Sequence, residues 1–411
     1  MREALIVGGG IAGLFSAICL RLTGWQVRVL EQAPALEAVG AGIQLSPNAT
    51  NLLKETDSLP LIKDTSFAPE AIEMRNGTTG RQFCYLPLGK TAETRWGAPY
   101  IHIHRADLIA ALERRLEQLQ PDALILNAQV SDVHQDGEQV DAQLIDGRRF
   151  TADMLVAADG VHSAIRAQTI GDDAPHFTNS VAFRTIVSAD RLGDTVPPPT
   201  AAIWTGAGKH AVTTRLRGGA LVNFVGVVET DILQHARQRL GIDPSNAVVR
   251  ESWSQEADKN VAKAIFADCH PIIRNILEIA DDVKCWSLNA RKPLPRWSEG
   301  HVVLIGDAAH PMLPSLAQGG VQALEDGYVL ARALHRHESI TAGAAAYFQE
   351  RIGRVSQVQT MSAQNMRLYH HRSRAAQLAH YLPIEVASKT TPSLIYRRLD
   401  WLLGKRYPSL L

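Results

Sequence analysis

Apolar and polar positions at the start of the chain follow the order of a strand, a helix and a second strand. Residues 4–7 form an apolar run that predicts a strand, and the apolar stretch that continues to Leu22 predicts a helix. A second apolar run, residues 26–30, ends at Glu31 and predicts another strand. Three successive glycines and then Gly13 follow the first strand, so this region predicts a βαβ unit.

The spacing of these glycines is typical of a dinucleotide-binding turn. Gly8 permits a tight turn, Gly10 lets the backbone approach a pyrophosphate, and Gly13 allows the helix to pack closely on the strand. The helix N-terminus offers free N–H groups and a partial positive charge to phosphate. Glu31, eighteen residues after Gly13, is placed to accept hydrogen bonds from an adenosine ribose. The alternative is a glycine-rich turn in an α/β protein that binds no nucleotide.

The pattern changes twice along the rest of the chain. Residues 70–90 alternate apolar and polar positions around Asn76-Gly77, which predicts a β-hairpin, and residues 104–119 predict an amphipathic helix. Between about residues 178 and 290, further alternating stretches precede a helical segment at about 244–280. These strands predict a second, mostly antiparallel sheet that could roof a pocket.

The chain of 411 residues is long enough for more than one hydrophobic core, because single cores stop growing at roughly 250–300 residues. We therefore predict an α/β protein with a Rossmann-like dinucleotide domain assembled from discontinuous segments, an inserted, mostly antiparallel sheet domain, and a C-terminal helical tail. The predicted segments are 1–69, 101–177 and 287–370 for the first domain, 70–100 and 178–286 for the inserted substrate domain, and 371–411 for the tail.

Composition excludes several classes of protein. The chain has 42 basic and 42 acidic residues, so no charged field attracts nucleic acid or an anionic membrane. No segment offers about 18 uninterrupted apolar residues, so no membrane span is predicted. The four cysteines form no CxxC pair, which favours reduced thiols in a cytoplasmic protein. The basic tail is expected to pack on the body of the protein or on the neighbouring subunit of a homodimer, with a membrane-surface helix as the alternative.

Four signatures follow one another along the chain: GGGIAG at residues 8–13, HRADL at 104–108, AADGVHSAIR at 157–166 and GDAAHPMLPSLAQGGVQALEDG at 306–327. Together they resemble the single-component FAD-dependent aromatic hydroxylases, the flavoprotein monooxygenases that include salicylate hydroxylase and 3-hydroxybenzoate 6-hydroxylase. The resemblance covers about residues 1–370. It implies FAD as the bound dinucleotide, NADH or NADPH as a transient co-substrate, and O₂ as the oxidant.

The resemblance implies roles for several charged residues around the flavin. It places Asp307 at the ribityl chain, where a carboxylate can accept hydrogen bonds from hydroxyl groups. It places Arg105 near the flavin and its phosphates, a role that suits a guanidinium group. Asp159 and Arg166 are placed at a site that touches both FAD and the nicotinamide donor, although each could instead form a structural ion pair.

The loop of residues 311–321 is expected to face the flavin ring. Gly319 and Gly320 precede a helix, so their amides and the helix dipole can point at the N1–C2=O edge of the flavin; the alternative is a glycine-rich helix cap. The resemblance places Pro314 beside the ring where oxygen reacts. The residues assigned to cofactor binding are Gly8, Gly10, Ala12, Gly13, Glu31, Gln32, Arg105, Val130, Asp159, Asp307, Gly319, Gly320 and Val321.

The reaction implied by the resemblance is hydroxylation of a small phenolic or heteroaromatic acid through a C4a-hydroperoxyflavin. A phenol reacts best as its phenolate, so we expect a base with a pKa near the working pH. His210 is the candidate, since relatives carry a histidine in a similar GxxH stretch; a hydrogen-bonded structural histidine is the alternative. Several relatives carry Tyr four residues later, where this chain has Thr214. With Thr214, Arg184 and Gln44 form the predicted substrate-binding set, the latter two as contacts to a carboxylate or hydroxyl.

Two histidine positions are given no chemical role. His310 follows the GDAA sequence directly, but no second ligand lies at metal spacing, so no metal site is predicted. The His370-His371 pair is predicted to lie on a solvated helix face. Two other functions stay open from the sequence alone: an epoxidase, urate-type or tailoring hydroxylase with the same fold, and a flavin-binding protein without turnover.

Overall fold

The computed structural model describes residues 2–36, 42–171, 175–243 and 257–411. The strands are β1 (Glu3–Val7), β2 (Gln26–Leu30), β3 (Gly42–Leu45), β4 (Ala71–Asn76), β5 (Gln82–Pro87), β6 (Ile101–His104), β7 (Leu124–Ile125), β8 (Val130–Gln135), β9 (Val140–Leu144), β10 (Arg149–Ala152), β11 (Met154–Ala157), β12 (His176–Ser188), β13 (Ala201–Gly206), β14 (Lys209–Leu216), β15 (Leu221–Glu229), β16 (Lys284–Ala290), β17 (Ser298–Glu299) and β18 (Val302–Leu304). The α-helices are α1 (Ile11–Leu22), α2 (Pro47–Glu55), α3 (Gly89–Trp96), α4 (Arg105–Leu119), α5 (Ala164–Thr169), α6 (Thr230–Arg239), α7 (Lys259–Ile265), α8 (Pro271–Ile279), α9 (Gly319–Arg336), α10 (Ile340–Tyr369), α11 (Arg374–Thr390) and α12 (Pro392–Leu403).

The first large sheet is built from strands that lie far apart in the sequence. Its order is β17-β18-β11-β1-β2-β7, and every pairing is parallel except that of β17 with β18. All residues of β11 and β18 are buried, as expected for central parallel strands that are covered on both faces. Apolar side chains of α1, α4 and α9 share one core with this sheet.

The second large sheet has the order β16-β12-β15-β14-β13-β4-β5, and its neighbours are antiparallel except for β13 and β4. Alternate side chains of a strand point to opposite faces. On the outer face, Phe183, Trp204 and Phe224 pack with apolar residues of α6, α7 and α8 in one cluster. Three helices therefore cover one face of this sheet.

The opposite, inner face of the second sheet carries the polar residues of interest. Arg184 lies opposite Val225 and His210 lies opposite Val227, two residues further along β15, so both side chains point to the same face. Apolar residues of this face pack with residues of α10 and of the 311–321 loop: Ala182, Val225, Val227, Trp286, Leu288, Leu313 and Met366. The inner face is thus turned towards the loop that is expected to face the flavin.

The C-terminal tail packs on the body of the protein. The rings of Phe83 on β5 and Tyr381 on α11 are stacked with centroids 4.6 Å apart. The hydroxyl of Tyr396 on α12 donates to the carbonyl of Pro87 at 2.6 Å. These contacts confirm the expected packing of the tail. Across the part of the chain that the structure describes, no helix combines the length and apolarity needed to cross a bilayer.

The structure confirms the predicted α/β class, the β4–β5 hairpin and the inserted, mostly antiparallel sheet. The second half of the predicted 244–280 helical segment forms α7 and α8, whereas residues 244–256 lie outside the described residues. The domain boundaries stay a prediction, because the strand order of the two sheets does not define the residues at which each domain begins and ends.

Candidate active site

The glycine turn between β1 and α1 is built as its spacing predicts. Gly8 has φ +110°, and a Cβ there would lie 2.4 Å from the Ala158 carbonyl oxygen. A Cβ at Gly13 would lie 1.9 Å from the Gly8 carbonyl oxygen, so close backbone packing requires glycine. A Cβ at Gly10 would have Arg105 Nη2 as its nearest neighbour, at 3.8 Å. The protein therefore has room for a Cβ at residue 10, and no contact within the protein requires glycine there.

Glu31 lies at the end of β2, as predicted, and its carboxylate bonds the glycine turn. Its Oε2 accepts from the Gly9 amide at 2.6 Å, and its Oε1 accepts from the Ala33 amide at 2.9 Å. The neighbouring Gln32 is exposed. Glu31 thus holds the turn in place beside the uncapped N-terminus of α1, where Gly10 provides no side-chain hydrogen bond. Its contact with a ribose stays a prediction.

Arg105 and Asp307 come together beside the glycine turn. Arg105 is the first residue of α4, and burial lowers its pKa while the carboxylates of Asp307 and Glu31 act in the opposite direction. Asp307 is accessible to solvent, yet the surrounding protein desolvates its carboxyl group and raises its pKa against the attraction of His310 and Arg105. The two residues predicted at the flavin therefore face a common region.

The turn that carries Asp307 is held by a buried hydrogen-bond network. Gly306 has φ +58°, and its amide donates to Asp326 Oδ2 at 2.9 Å. His310 Nε2 donates to the same oxygen at 2.5 Å, and Arg351 Nε donates to Asp326 Oδ1 at 2.8 Å. His310 therefore positions the turn through Asp326.

The loop before α9 opens towards the same region. Ala317 adopts a left-handed conformation with φ +52°, after a 3₁₀ turn that begins at the exposed Pro314. A Cβ at Gly319 would come no closer than 3.9 Å to Met312, and one at Gly320 no closer than 3.7 Å to Ile11. No side chain caps this helix N-terminus. The ends of α1 and α9 thus present uncapped amides and two positive dipole ends side by side.

Asp159 follows β11, next to the glycine turn, and Arg166 lies on the short helix α5 after it. The Asp159 Oδ2 accepts from the Ile165 amide at 3.3 Å, whereas its Oδ1 is buried without a hydrogen bond from the described residues. Burial raises the pKa of this carboxyl group. Arg166 Nη1 donates to the Ala308 carbonyl at 3.3 Å, which ties this segment to the Asp307 turn. Val130 lies on β8 and pairs with Leu144.

His210 is buried on the inner face, with 2% of its surface exposed. Its Nδ1 lies 2.7 Å from His370 Nε2, and its ring packs edge-on to Tyr369. Burial, and secondarily His370, hold the pKa of His210 well below its ordinary value. The prediction that the His370-His371 pair lies on a solvated face is wrong for His370, which is 6% exposed because it packs between His210 and Glu229.

Arg184 is a buried cation on the same face. It is 6% exposed, lies over the Trp286 ring at 5.2 Å, and makes no hydrogen bond or ion pair with the described residues. Burial and the neighbouring Arg105 lower its pKa to about 10. The other two predicted substrate residues have partners. Asn223 donates to the Thr214 hydroxyl at 3.2 Å, and the Tyr100 hydroxyl donates to Gln44 at 2.6 Å.

Known proteins resemble this chain in sequence over most of its length. Residues 1–362 match the family described as FAD binding domain. The 3-hydroxybenzoate 6-hydroxylase of Klebsiella oxytoca is 30% identical over 406 residues, which cover 98% of this chain and 97% of that enzyme. The chain belongs to this family of FAD-dependent hydroxylases. The 6-hydroxynicotinate 3-monooxygenase of Pseudomonas fluorescens is 31% identical over 366 residues, or 88% of this chain and 90% of that enzyme.

Solved structures agree in fold with this flavoprotein monooxygenase. HpxO from Klebsiella pneumoniae, in complex with FAD and uric acid, gives a TM-score of 0.82 at 21% identity and covers 98% of this chain and 97% of its own. A substrate complex of salicylate hydroxylase gives 0.75 at 24% identity, with 98% and 96% covered. The family match and the hydroxylases named above support a flavoprotein monooxygenase over the flavin-binding protein without turnover.

The residues present fit FAD on structural grounds. The absence of a Cβ at Gly10, Gly319 and Gly320 leaves space that no other protein atom occupies. Two uncapped helix N-termini suit a pyrophosphate and an electron-rich ring edge. Asp159 Oδ1 and the accessible Asp307 carboxylate provide acceptors for hydroxyl groups.

A matched pair of glycine variants tests this fit. We expect Gly10→Ala to fold normally and to weaken FAD binding at least about tenfold, or about 1.4 kcal/mol, because the new methyl group occupies the approach of the pyrophosphate. Gly13→Ala should fail to fold, since its Cβ meets the Gly8 carbonyl oxygen. Circular dichroism and the quenching of FAD fluorescence measure the two effects. Wild-type FAD affinity in Gly10→Ala would contradict this assignment.

Sequence reasoning missed three residues that the structure brings to the site. Asp326 lies inside the fourth signature, but it is 20 residues from Gly306, so only membership of that signature marks it. His104 caps α4 by accepting from the Ala106 amide at 3.3 Å. His370 gave no local signal, because its partner His210 lies 160 residues away.

Proposed function

We propose that this monooxygenase hydroxylates a small phenolic or heteroaromatic acid that binds between the inner face of the second sheet and the 311–321 loop. One observation supports the proposal most strongly: two buried polar side chains, His210 and Arg184, lie on the same face of the sheet. Strand spacing and rise place their Cα atoms roughly 12 Å apart, which leaves room for an aromatic ring between the side chains. The relatives named above act on 3-hydroxybenzoate and 6-hydroxynicotinate, which are acids of this class.

In this reaction an aromatic C–H bond becomes C–OH, NAD(P)H and a proton are consumed, and the second atom of O₂ leaves as water. Bound FAD supplies electron transfer from NAD(P)H and activation of O₂. Gly8, Gly10 and Gly13 would shape the pyrophosphate site, and Arg105 with Asp307 would hold the flavin end of the cofactor. The positive end of the α9 dipole favours negative charge beside Gly319 and Gly320.

The substrate is held and activated by residues of the sheet. The His210 Nδ1 already bonds His370, so its Nε2 is the ring nitrogen left to accept the phenol proton. Removal of that proton makes the ring electron-rich enough to attack an electrophilic oxygen. The apolar residues around Trp286 and Leu313 exclude water from the ring.

Arg184 is the proposed partner of the substrate carboxylate. Hydrogen bonds to a charged group contribute about 1.5–3 kcal/mol, so we expect Arg184→Gln to raise the KM of the acid about 10–150-fold. The corresponding phenol without a carboxylate should be affected far less. Steady-state kinetics with both compounds measure the difference. Arg191→Gln, which removes an exposed arginine paired with Asp281, serves as the control, and equal losses for acid and phenol would contradict the role.

A substrate panel tests the function itself. The purified holoenzyme is mixed with NADH or NADPH and a series of hydroxybenzoates and hydroxypyridine carboxylates, and both cofactor oxidation and hydrogen peroxide are followed. Oxidation that rises with one compound, with little peroxide, supports the proposal and identifies the substrate. A flat rate across the panel would instead favour an epoxidase, a urate-type hydroxylase or a tailoring hydroxylase with a larger substrate.

Location and assembly are proposed on separate structural grounds. All four cysteines are free thiols, and NAD(P)H is the reductant, which supports a cytoplasmic enzyme. Leu378, Leu382 and Val386 form an exposed apolar stripe on α11, which supports the homodimer that the sequence left open. Light scattering of the purified protein measures the assembly directly.

A further inference from the structure

A chain of hydrogen-bonded side chains leads from His210 to the protein surface. His210 Nδ1 lies 2.7 Å from His370 Nε2, and His370 Nδ1 lies 3.1 Å from Glu229 Oε1. Exposure rises along this chain, from 2% at His210 to 6% at His370 and to 32% for the Glu229 side chain. The chain therefore connects a buried imidazole with water through only two further residues.

The backbone around the chain holds its members in register. Glu229 ends β15, and its amide donates to the Gly208 carbonyl at 2.9 Å. The Gly208 amide in turn donates to the His370 carbonyl at 3.1 Å. Gly208 has φ +66°, a left-handed conformation that favours glycine, and this conformation lets the turn bond both strand and helix end. The end of α10 is thereby fixed against the β13–β14 turn.

From this geometry we propose that His370 and Glu229 set the tautomer of His210 and carry the substrate proton from it to solvent. The proposal rests on the function proposed above, in which His210 is the base. His370 and Glu229 touch neither substrate nor cofactor, so they act as positioning and relay residues.

The tautomers follow from the surface end of the chain. The Glu229 carboxylate accepts a hydrogen bond, so His370 carries its proton on Nδ1 and has a lone pair on Nε2. That lone pair accepts from His210 Nδ1–H, which leaves the lone pair of His210 on Nε2. When Nε2 takes the phenol proton, the O–H bond breaks and an N–H bond forms. The Nδ1 proton then passes to His370 Nε2, and the His370 Nδ1 proton passes to Glu229 and on to water.

The surroundings favour transfer over storage of the proton. Burial keeps the pKa of His210 low, so an imidazolium there is unfavourable and its proton moves on. Arg372 pairs with both Glu229 and Asp231, so a positive charge lies directly beside the carboxylate at the surface end of the chain. The remaining nearby ionisable groups do not bond His210. The Tyr369 hydroxyl accepts from Asn365, and Lys209 points to the outer face, where it pairs with Asp268.

Two variants distinguish a proton-relay role of His370 and Glu229 from a role in packing alone. His370→Gln keeps a hydrogen-bond acceptor and donor between His210 and Glu229 but removes the titratable ring. Glu229→Gln removes the carboxylate that fixes the tautomers. His371→Gln is the matched control, because His371 is the next residue but packs on His380 instead. The FAD content and the far-ultraviolet circular dichroism of each holoenzyme verify folding.

The first measurement needs no turnover. Nitrogen-15 NMR of histidine-labelled holoenzyme reports which ring nitrogen carries the proton, with resonances assigned by the single variants. We expect the Nδ1–H tautomer for His210 in the wild type and in His371→Gln, and its loss in Glu229→Gln. An Nε2–H tautomer of His210 in the wild type overturns the proposal, whatever the substrate proves to be.

The second measurement follows kcat against pH with the substrate from the panel. We expect His370→Gln and Glu229→Gln to lower kcat at neutral pH at least about tenfold, with the loss disappearing once the phenol ionises in solution. The KM for NAD(P)H should not change. A profile that matches the control at every pH overturns the relay. If the wild type hydroxylates no compound, the proposed function fails separately, and the NMR result alone decides the tautomer assignment.

Discussion

We expect His210→Asn to lower kcat for a phenolic acid about 10²–10⁴-fold at neutral pH, the usual contribution of a general base. Asn keeps a polar group of similar size but cannot accept a proton, so the phenol must ionise without help. FAD binding should be unchanged, because the residues predicted to bind the cofactor lie on the glycine turn, the Asp307 turn and α9. Stopped-flow and steady-state kinetics of the holoenzyme measure the loss.

The pH profile distinguishes this role from a structural one. Burial lowers the pKa of His210, so the neutral base persists below pH 6.5 and the wild-type rate should fall only at more acidic pH. In His210→Asn the acidic limb should move up to the pKa of the phenol itself, which is about 10 for an unperturbed phenol such as Tyr. High pH should therefore restore the kcat of His210→Asn. His235→Asn on the exposed face of α6 is the control, and a pH-independent loss in His210→Asn would argue for packing alone.

Replacing Arg351 with Met should destabilise the protein by about 3–5 kcal/mol, the usual cost of removing one member of a buried ion network. Arg351, Glu325 and Asp326 are all fully buried, and the arginine bonds both carboxylates. Burial alone would raise the pKa of Glu325, but Arg351 and Arg354 outweigh it and lower the pKa to about 2. The shift of the urea unfolding midpoint measures the loss.

The pH dependence of protein stability provides a second test of this ion network. A carboxylate whose pKa is depressed on folding stabilises the protein above its unfolded pKa of about 4.3 and loses this contribution as pH falls towards the folded pKa. The difference in the free energy of unfolding between wild type and Arg351→Met should therefore become smaller below about pH 4.3. Arg81→Met removes an exposed pair with Glu385 and should cost only about 0–1 kcal/mol. A similar small cost at Arg351 would contradict the network's role in stability.

Local features of the site could be predicted from the sequence because local sterics and periodicity determine them. Gly8 and Gly13 are required by backbone contacts within the βαβ unit, and Glu31 follows at the end of the next strand. Strand alternation likewise explains why His210 and Thr214 share a face once the sheet is formed. The fold class followed from the same patterns.

Long-range partners could not be predicted in this way. The His210–His370 contact joins β14 to the end of α10, and a histidine pair after a helix looks solvated when its partner is unknown. The Arg351 network is similar, because arginine in the middle of a polar helix predicts an exposed side chain. In both cases tertiary packing, not local preference, decides burial.

The length of α10 links the two halves of the site. This 30-residue helix bonds Asp326 through Arg351, the Pro311 carbonyl through Gln359 at 2.9 Å, and reaches His210 through His370 at its end. A helix advances about 1.5 Å and turns about 100° per residue, so α10 sets the distance and orientation between the 311–321 loop and His370. One inserted residue would turn every later contact to another side. We therefore expect one residue inserted into α10 between Gln359 and His370 to separate His370 from His210.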